Sequence, residues 1–163
     1  MISACSSPEV LSDESAEVES TASFPEWYNA SRVSSSDSTH FNGYSMAVAL
    51  DRDEAINSGI ESAIVNLRYE IDRFAEEVRE TLVSSESGSS YDSPQFIIKL
   101  RNTVQGLRLS DSMVEREFET RDDDIIQVYT RATLNRSEVI DQLSKNLTDE
   151  IYIRALQATQ VEI

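Results

Sequence analysis

Only a few side chains in this sequence have the type and spacing for chemistry. There is one cysteine, Cys5, and one histidine, His40. A lone cysteine cannot form an internal disulfide. Its setting, Met1-Ile2-Ser3-Ala4-Cys5-Ser6-Ser7, is an aliphatic residue, two small residues and then cysteine. That is the pattern of a bacterial lipobox, in which small residues before the cut fit a narrow peptidase pocket. The expectation is that the Cys5 thiol carries a diacylglyceryl group and that its freed amine is acylated. Each chain then contributes about 0.8 kcal/mol per buried CH₂, so two or three chains anchor a protein with no apolar surface of its own. Only Met1 and Ile2 precede the pattern, so the basic and apolar parts of a signal peptide would lie upstream. The alternative is a chance cysteine near a start methionine.

The remaining candidates are weaker. His40 sits in a serine-rich stretch, but no serine carries the nucleophile-elbow pattern that a Ser–His–Asp arrangement needs. Asp51-Arg52-Asp53 opens like a calcium loop and then fails, with Ala55, Ile56 and Ser62 where the loop needs an oxygen ligand, glycine and glutamate. Asp122-Asp123-Asp124 could hold calcium weakly, yet a solvated turn accounts for it. Glu115, Glu117 and Glu119 alternate as the solvent face of a strand does, which gives paired carboxylates without hydrolase chemistry. Glycine-rich phosphate loops and zinc spacings are absent. No enzyme, cofactor or metal site is expected. The candidate for ligand recognition is an aromatic shelf of Trp27, Tyr28 and Tyr44.

Thirty Asp and Glu against 14 Lys and Arg give a formal net charge of −16. Such a surface releases no phosphate counter-ions, which argues against nucleic acid as a partner. It also repels anionic head groups, so membrane contact requires the lipid anchor. No run of roughly 18 apolar residues exists to span a bilayer as a helix.

The elements that would position these residues follow from patterning. Residues 1–23 read as a lipobox remnant and a Ser/Glu-rich tether, too polar to form a core. Residues 24–163 read as a single α+β domain. Phe24-Pro25-Glu26-Trp27-Tyr28 marks where the chain docks on it, and residues 31–39 return to serine-rich loop. From Phe41 to Leu50, Tyr44, Met46, Val48 and Leu50 share a bulky face. Gly43, Ser45, Ala47 and Ala49 share a small one, which would let a helix or a second subunit pack closely.

Asp51 and Glu54 have capping-box spacing. They open a helix with a stripe of Ile56, Ile60, Ala63, Ile64, Leu67, Ile71, Phe74, Val78 and Leu82. At about 30 residues it would be some 45 Å long, more than one small sheet covers. Part of it would therefore meet another chain, or the helix would bend. Ser93-Pro94 starts a short helix with Ile97, Leu100, Val104 and Leu107 on one face, a strand being the alternative. Met113–Arg121 and the run from Ile125 read as a hairpin that sets Glu117 and Glu119 near Arg131. Asn135 and Glu138 start a last helix carrying Val139, Ile140, Leu143, Leu147 and Ile151, and the final dozen residues fit no single pattern. The economical architecture is an antiparallel sheet of three strands, or slightly more, packed against one long helix plus shorter ones.

These features together resemble the LPP-twenty lipoprotein family of bacterial envelope proteins. The resemblance rests on the Pro-x-Trp of Pro25 and Trp27, the strand from Gly43 into the alanine-bearing helix at Ala55 and Ala63, and the glutamate-rich strand, acidic turn and aromatic strand of Val114 to Leu134. It covers about residues 24 to 145, and none of its motifs is catalytic. It implies lipidation at Cys5, an outer-membrane or surface location facing the periplasm or the exterior, and an α+β domain. The expected activity is that of a structural or protein-interaction module, partnered by envelope proteins or by itself. A small-ligand carrier using Trp27, Tyr28 and Tyr44 is the alternative.

Overall fold

In the computed structural model, the described residues are 25–85, 90–110, 112–121 and 125–160. Cys5, the 1–23 tether, Phe24 and the Asp122–Asp124 turn lie outside them. The alternating run from Phe41 forms a strand, β2 (His40–Ala49), preceded by a short strand, β1 (Ser34–Ser36). A hairpin of β3 (Met113–Arg121) and β4 (Ile125–Asn135) completes a four-stranded antiparallel sheet of order β1-β2-β4-β3. Four helices pack with it, and the fold is α+β. β1 is an addition to expectation, since three serines offer no alternation of apolar and polar residues to read.

The small face of β2 meets the long helix α1 (Arg52–Val83). Asp51 caps that helix by accepting the Glu54 backbone N–H at 2.9 Å. Contact is so close that a Cβ on Gly43 would stand 2.1 Å from the Ala63 carbonyl oxygen. Ser45 Oγ donates to the Gly59 carbonyl at 2.6 Å, and Asn66 Nδ2 donates to the Tyr44 carbonyl at 2.7 Å. This proximity rotates the first half of α1 away from the expected stripe. Ala55, Gly59 and Ala63 are buried, while Ile56, Ile60 and Ile64 are only half-buried. Backbone can approach a sheet this closely only where both surfaces are small.

The second half of α1 is covered within the chain. Leu67, Ile71, Phe74 and Val78 belong to one apolar cluster with Leu100 and Val104 of α2 (Pro94–Gln105) and Tyr152 and Leu156 of α4 (Glu150–Ala158). The α2 run is helix rather than strand, with Ser93 Oγ accepting from Phe96 N at 3.3 Å and Pro94 in the first turn.

Two expectations are corrected. The last helix is two: α3 (Arg136–Asn146) ends at Leu147, and Asp149 caps α4 by accepting Tyr152 N at 2.9 Å. Leu147 is buried but Ile151 is exposed, because the new cap reorients the chain between them. In the hairpin, Arg131 lies opposite Glu115, whereas Glu117 faces Tyr129 and Glu119 faces Gln127. In that register Glu115 forms the ion pair with Arg131.

Candidate functional site

The sheet has two faces, and the one turned away from α1 collects the aromatic residues. Pro25 is buried and its carbonyl accepts Tyr28 N at 2.9 Å, a turn that lays the next residues over the sheet. Asn29 Oδ1 accepts Ser31 N at 2.9 Å and the Asn29 carbonyl accepts Arg32 N at 3.0 Å, which turns the chain toward β1. Trp27 stacks on Tyr44 with centroids 6.3 Å apart and planes at 21°. Tyr28 lies against Tyr129 at 4.8 Å. Guanidinium groups add to the stack, Arg131 over Trp27 and Arg32 over Tyr44, each 5.4 Å from the ring centroid.

Trp27, Tyr28 and Tyr44 are therefore brought together. Tyr129 and Arg32, not singled out in the sequence, join them, as does Arg131, which was expected only as a hairpin neighbour of Glu117 and Glu119. The signal for Tyr129 was its place in the hairpin, opposite Met46 and on the same face as Tyr44. Burial raises the pKa of the Tyr28 hydroxyl, so it stays protonated. Tyr44 OH and Ser35 Oγ are 2.9 Å apart. The arrangement holds residues 25–33 on the sheet. Beside it runs a polar groove of about 430 Å³, where Arg32, His40 and Arg131 meet the hydroxyls of Ser35, Tyr44 and Thr133.

His40 belongs to the turn between β1 and β2. Asp37 Oδ1 accepts Thr39 N, Thr39 Oγ1 and His40 N, each at 2.7 Å. Hydrogen bonds from the Thr39 side chain and backbone hold the Asp37 carboxyl below its ordinary range. His40 Nδ1 lies 2.8 Å from Thr39 Oγ1. These contacts close the turn, with the Thr39 hydroxyl held between the Asp37 carboxylate and the imidazole. Among the described residues no three His, Cys, Asp or Glu side chains converge as metal ligands.

A buried carboxylate was not anticipated. Glu70 is 2% exposed and faces β1, where Ser34 Oγ donates to it at 2.8 Å and Ser36 Oγ at 2.7 Å. Arg73 pairs with it from the next turn of α1. Burial alone would raise the Glu70 pKa, but the hydrogen bonds from Arg73, Ser36 and Ser34 outweigh it and hold the carboxyl below the usual range. Two serines one residue apart, facing a glutamate, were the available signal.

β1 guards only part of β2. Its pairing runs from Ser36–Phe41 to Ser34–Gly43, then Tyr44 N donates to the Val33 carbonyl at 2.8 Å. Beyond Tyr44, no strand among the described residues lies on that side of β2. The exposed stretch carries Met46, Val48 and Leu50, which are 46%, 55% and 76% exposed. Ser62 and Asn66 of α1 share a cleft of about 230 Å³ with Tyr28, Asn29, Ala30 and Val33 of the segment before β1 and with Tyr44 and Met46 of β2. Val65 and Tyr69, further round that helix, are 65% and 59% exposed.

In comparisons with known proteins, no family model, no curated protein and no solved structure matches the chain.

Proposed function

We propose that this chain is a bacterial envelope lipoprotein, anchored through Cys5 at the outer membrane and acting as a structural or protein-interaction module. The observation that carries the interaction half is the apolar stretch of β2 beyond Tyr44, which no strand among the described residues pairs on that side. Natural sheets protect edges with charge, proline or a covering element. The other edge strand, β3, carries Glu115, Arg116, Glu117, Glu119 and Arg121. Ser45 to Leu50 carries no charge in a chain of net charge −16. An apolar, hydrogen-bonding edge on an otherwise acidic protein is a surface for strand addition. Anchoring by lipid would confine this edge to the membrane surface and raise its effective concentration near partners.

The anchor half is supported by the lipobox pattern at Cys5 and by the Ser/Glu-rich run behind it. The resemblance carried by Pro25, Trp27 and the hairpin points the same way. No helix among the described residues is long and apolar enough to cross a membrane, so attachment would fall to lipid. A small-ligand carrier has the weaker support, because the rings of Trp27 and Tyr28 are already taken up against Tyr44 and Tyr129.

The test is intact mass of the protein made from its full reading frame in a bacterium with lipoprotein-processing enzymes. The expected product starts at Cys5, carries acyl mass and sediments with membranes, and Cys5→Ala releases it to the soluble fraction. An unmodified Cys5 thiol on a soluble product would remove the anchor.

A further inference from the structure

We infer that the polar groove on the open face of the sheet binds the phosphate group of a small, soluble ester. The inference goes beyond the lipoprotein reading and does not depend on the anchor. Alternation along the strands builds the floor of the groove. Phe41, Gly43 and Ser45 of β2 turn toward α1, so Asn42 and Tyr44 face the other way. Their partners across the ladder to β4 are Thr133 and Arg131, and Ser35 of β1 pairs with Asn42. Arg32, from the segment before β1, lies over the Tyr44 ring and completes the lining of a space of about 430 Å³.

This lining is rich in donors that the fold leaves unused. Thr133 Oγ1 donates to Asn42 Oδ1 at 2.9 Å, and no described residue accepts from the Asn42 amide nitrogen. Ser35 Oγ and Tyr44 OH lie 2.9 Å apart, so whichever donates, one of the two hydroxyl protons is left over. Arg32 meets the Tyr44 ring but no carboxylate among the described residues. Arg131 pairs with Glu115, yet its buried Nε has no hydrogen-bond partner. The one acid among the described lining residues is Asp37, whose Oδ1 already accepts from Thr39 N, Thr39 Oγ1 and His40 N. Such a groove is satisfied by a ligand that brings acceptors only, which is an oxyanion. The donors come from the segment before β1 and from β1, β2 and β4, in different directions. The oxygens of a phosphate spread tetrahedrally to meet them, whereas those of a carboxylate lie in one plane. Guanidinium forks also match phosphate. The groove falls in the size range of small-molecule sites, and the hydroxyls that line it suit a polar body on the ester.

The chain charge of −16 opposes any anion at a distance. At physiological ionic strength the Debye length is about 8 Å, so guanidinium groups touching the ligand outweigh acids on other faces. The same net charge repels anionic bilayers, which selects a soluble ester over a lipid head group as the source of the phosphate. Both guanidinium groups are held before a ligand arrives, each 5.4 Å from a ring centroid, and this lowers the ordering cost of binding.

The experiment is calorimetric titration of the full 163-residue chain at about 0.15 M NaCl. The probes are glucose 6-phosphate, inorganic phosphate, glucose, and vesicles of phosphatidylglycerol. Both phosphates are expected to saturate a single site with Kd at or below about 1 mM, while glucose and the vesicles give no binding. Arg32→Gln should weaken the phosphates about tenfold by removing a charge-assisted contact. Arg101→Gln makes the same charge change at an exposed position on α2 and should leave binding as it was. Nuclear magnetic resonance of the unsubstituted chain needs no variant: the Asn42 side-chain amide signals should shift and saturate over the same concentrations. Absence of saturable binding by either phosphate overturns the inference, as does equal binding to the Arg32→Gln protein or an Asn42 amide that does not respond. Vesicle binding without binding of the soluble phosphates overturns it too, because the site would then read a membrane.

Discussion

Gly43 of β2 and Ala63 of α1 touch backbone to backbone: a Cβ on Gly43 would stand 2.1 Å from the Ala63 carbonyl oxygen and 2.2 Å from Leu67 N. Neither obstacle is the end of a flexible side chain, so the helix itself would have to lift. Gly43→Ala should therefore destabilise the fold by about 3 kcal/mol or more, at or beyond the upper range for overpacking. Urea unfolding followed by far-UV circular dichroism would measure it. A loss within about 0.5 kcal/mol would mean that α1 sits further from the sheet than described.

This contact also explains what the sequence did and did not disclose. The alternation of Gly43, Ser45 and Ala47 was legible as a small face, and so was the helix that follows it. Which residues of the helix would face the strand was not. Apolar size favours Ile56, Ile60 and Ile64, but close approach selects Ala55 and Gly59 beside the expected Ala63. β1 was illegible for a different reason. Its three serines have no intrinsic claim to a strand, and a carboxylate more than thirty residues away holds two of them. Hairpin existence was readable from periodicity, whereas the pairing of Arg131 with Glu115 depended on how many residues the turn uses. The aromatic cluster was half visible. Trp27, Tyr28 and Tyr44 stand out as residue types, but the guanidinium groups that cover them come from Arg32 and from a strand about a hundred residues on.

Glu70 makes β1 sensitive to acid. Its folded-state pKa is depressed below an unfolded value of about 4.3. A depressed carboxylate stabilises the fold fully above its unfolded pKa, and that contribution is lost as pH falls through the folded value. Glu70→Gln keeps the shape but weakens the charge-assisted bonds from Arg73, Ser34 and Ser36, and should cost roughly 2 kcal/mol at neutral pH. The difference between the two proteins should shrink as pH drops below about 4.3. Melting curves at a series of pH values would show the two converging. A constant gap would mean that Glu70 is not ionised in the fold.

Asp149 serves two elements at once. It caps α4 through Tyr152 N and accepts the Tyr91 hydroxyl at 3.0 Å. Burial and this bond raise the Tyr91 pKa, so the phenol remains the donor. Asp149→Asn retains a capping oxygen and should cost little, whereas Asp149→Ala loses the cap and the tyrosine bond, about 2 kcal/mol together. The contrast between the two, read from chemical unfolding midpoints, separates cap from charge. Equal losses would point to the carboxylate charge rather than to the hydrogen bonds.

Arg131 joins the hairpin to residues 25–33, because its guanidinium covers Trp27 while pairing with Glu115. The pair is partly exposed, so its ionic share is small. The ring contact and the packed stem add to it. Arg131→Ala should therefore cost about 1–2 kcal/mol globally. Its local effect should be clearer. Trp27 is the only tryptophan in the chain, so its emission reports this one site. Removing Arg131 uncovers one side of the indole and should shift that emission to longer wavelength under native conditions, with far-UV circular dichroism unchanged. Arg131→Lys keeps the charge but not the planar group that stacks on the ring, and should recover only part of the shift. An unchanged spectrum in both variants would place Trp27 away from Arg131.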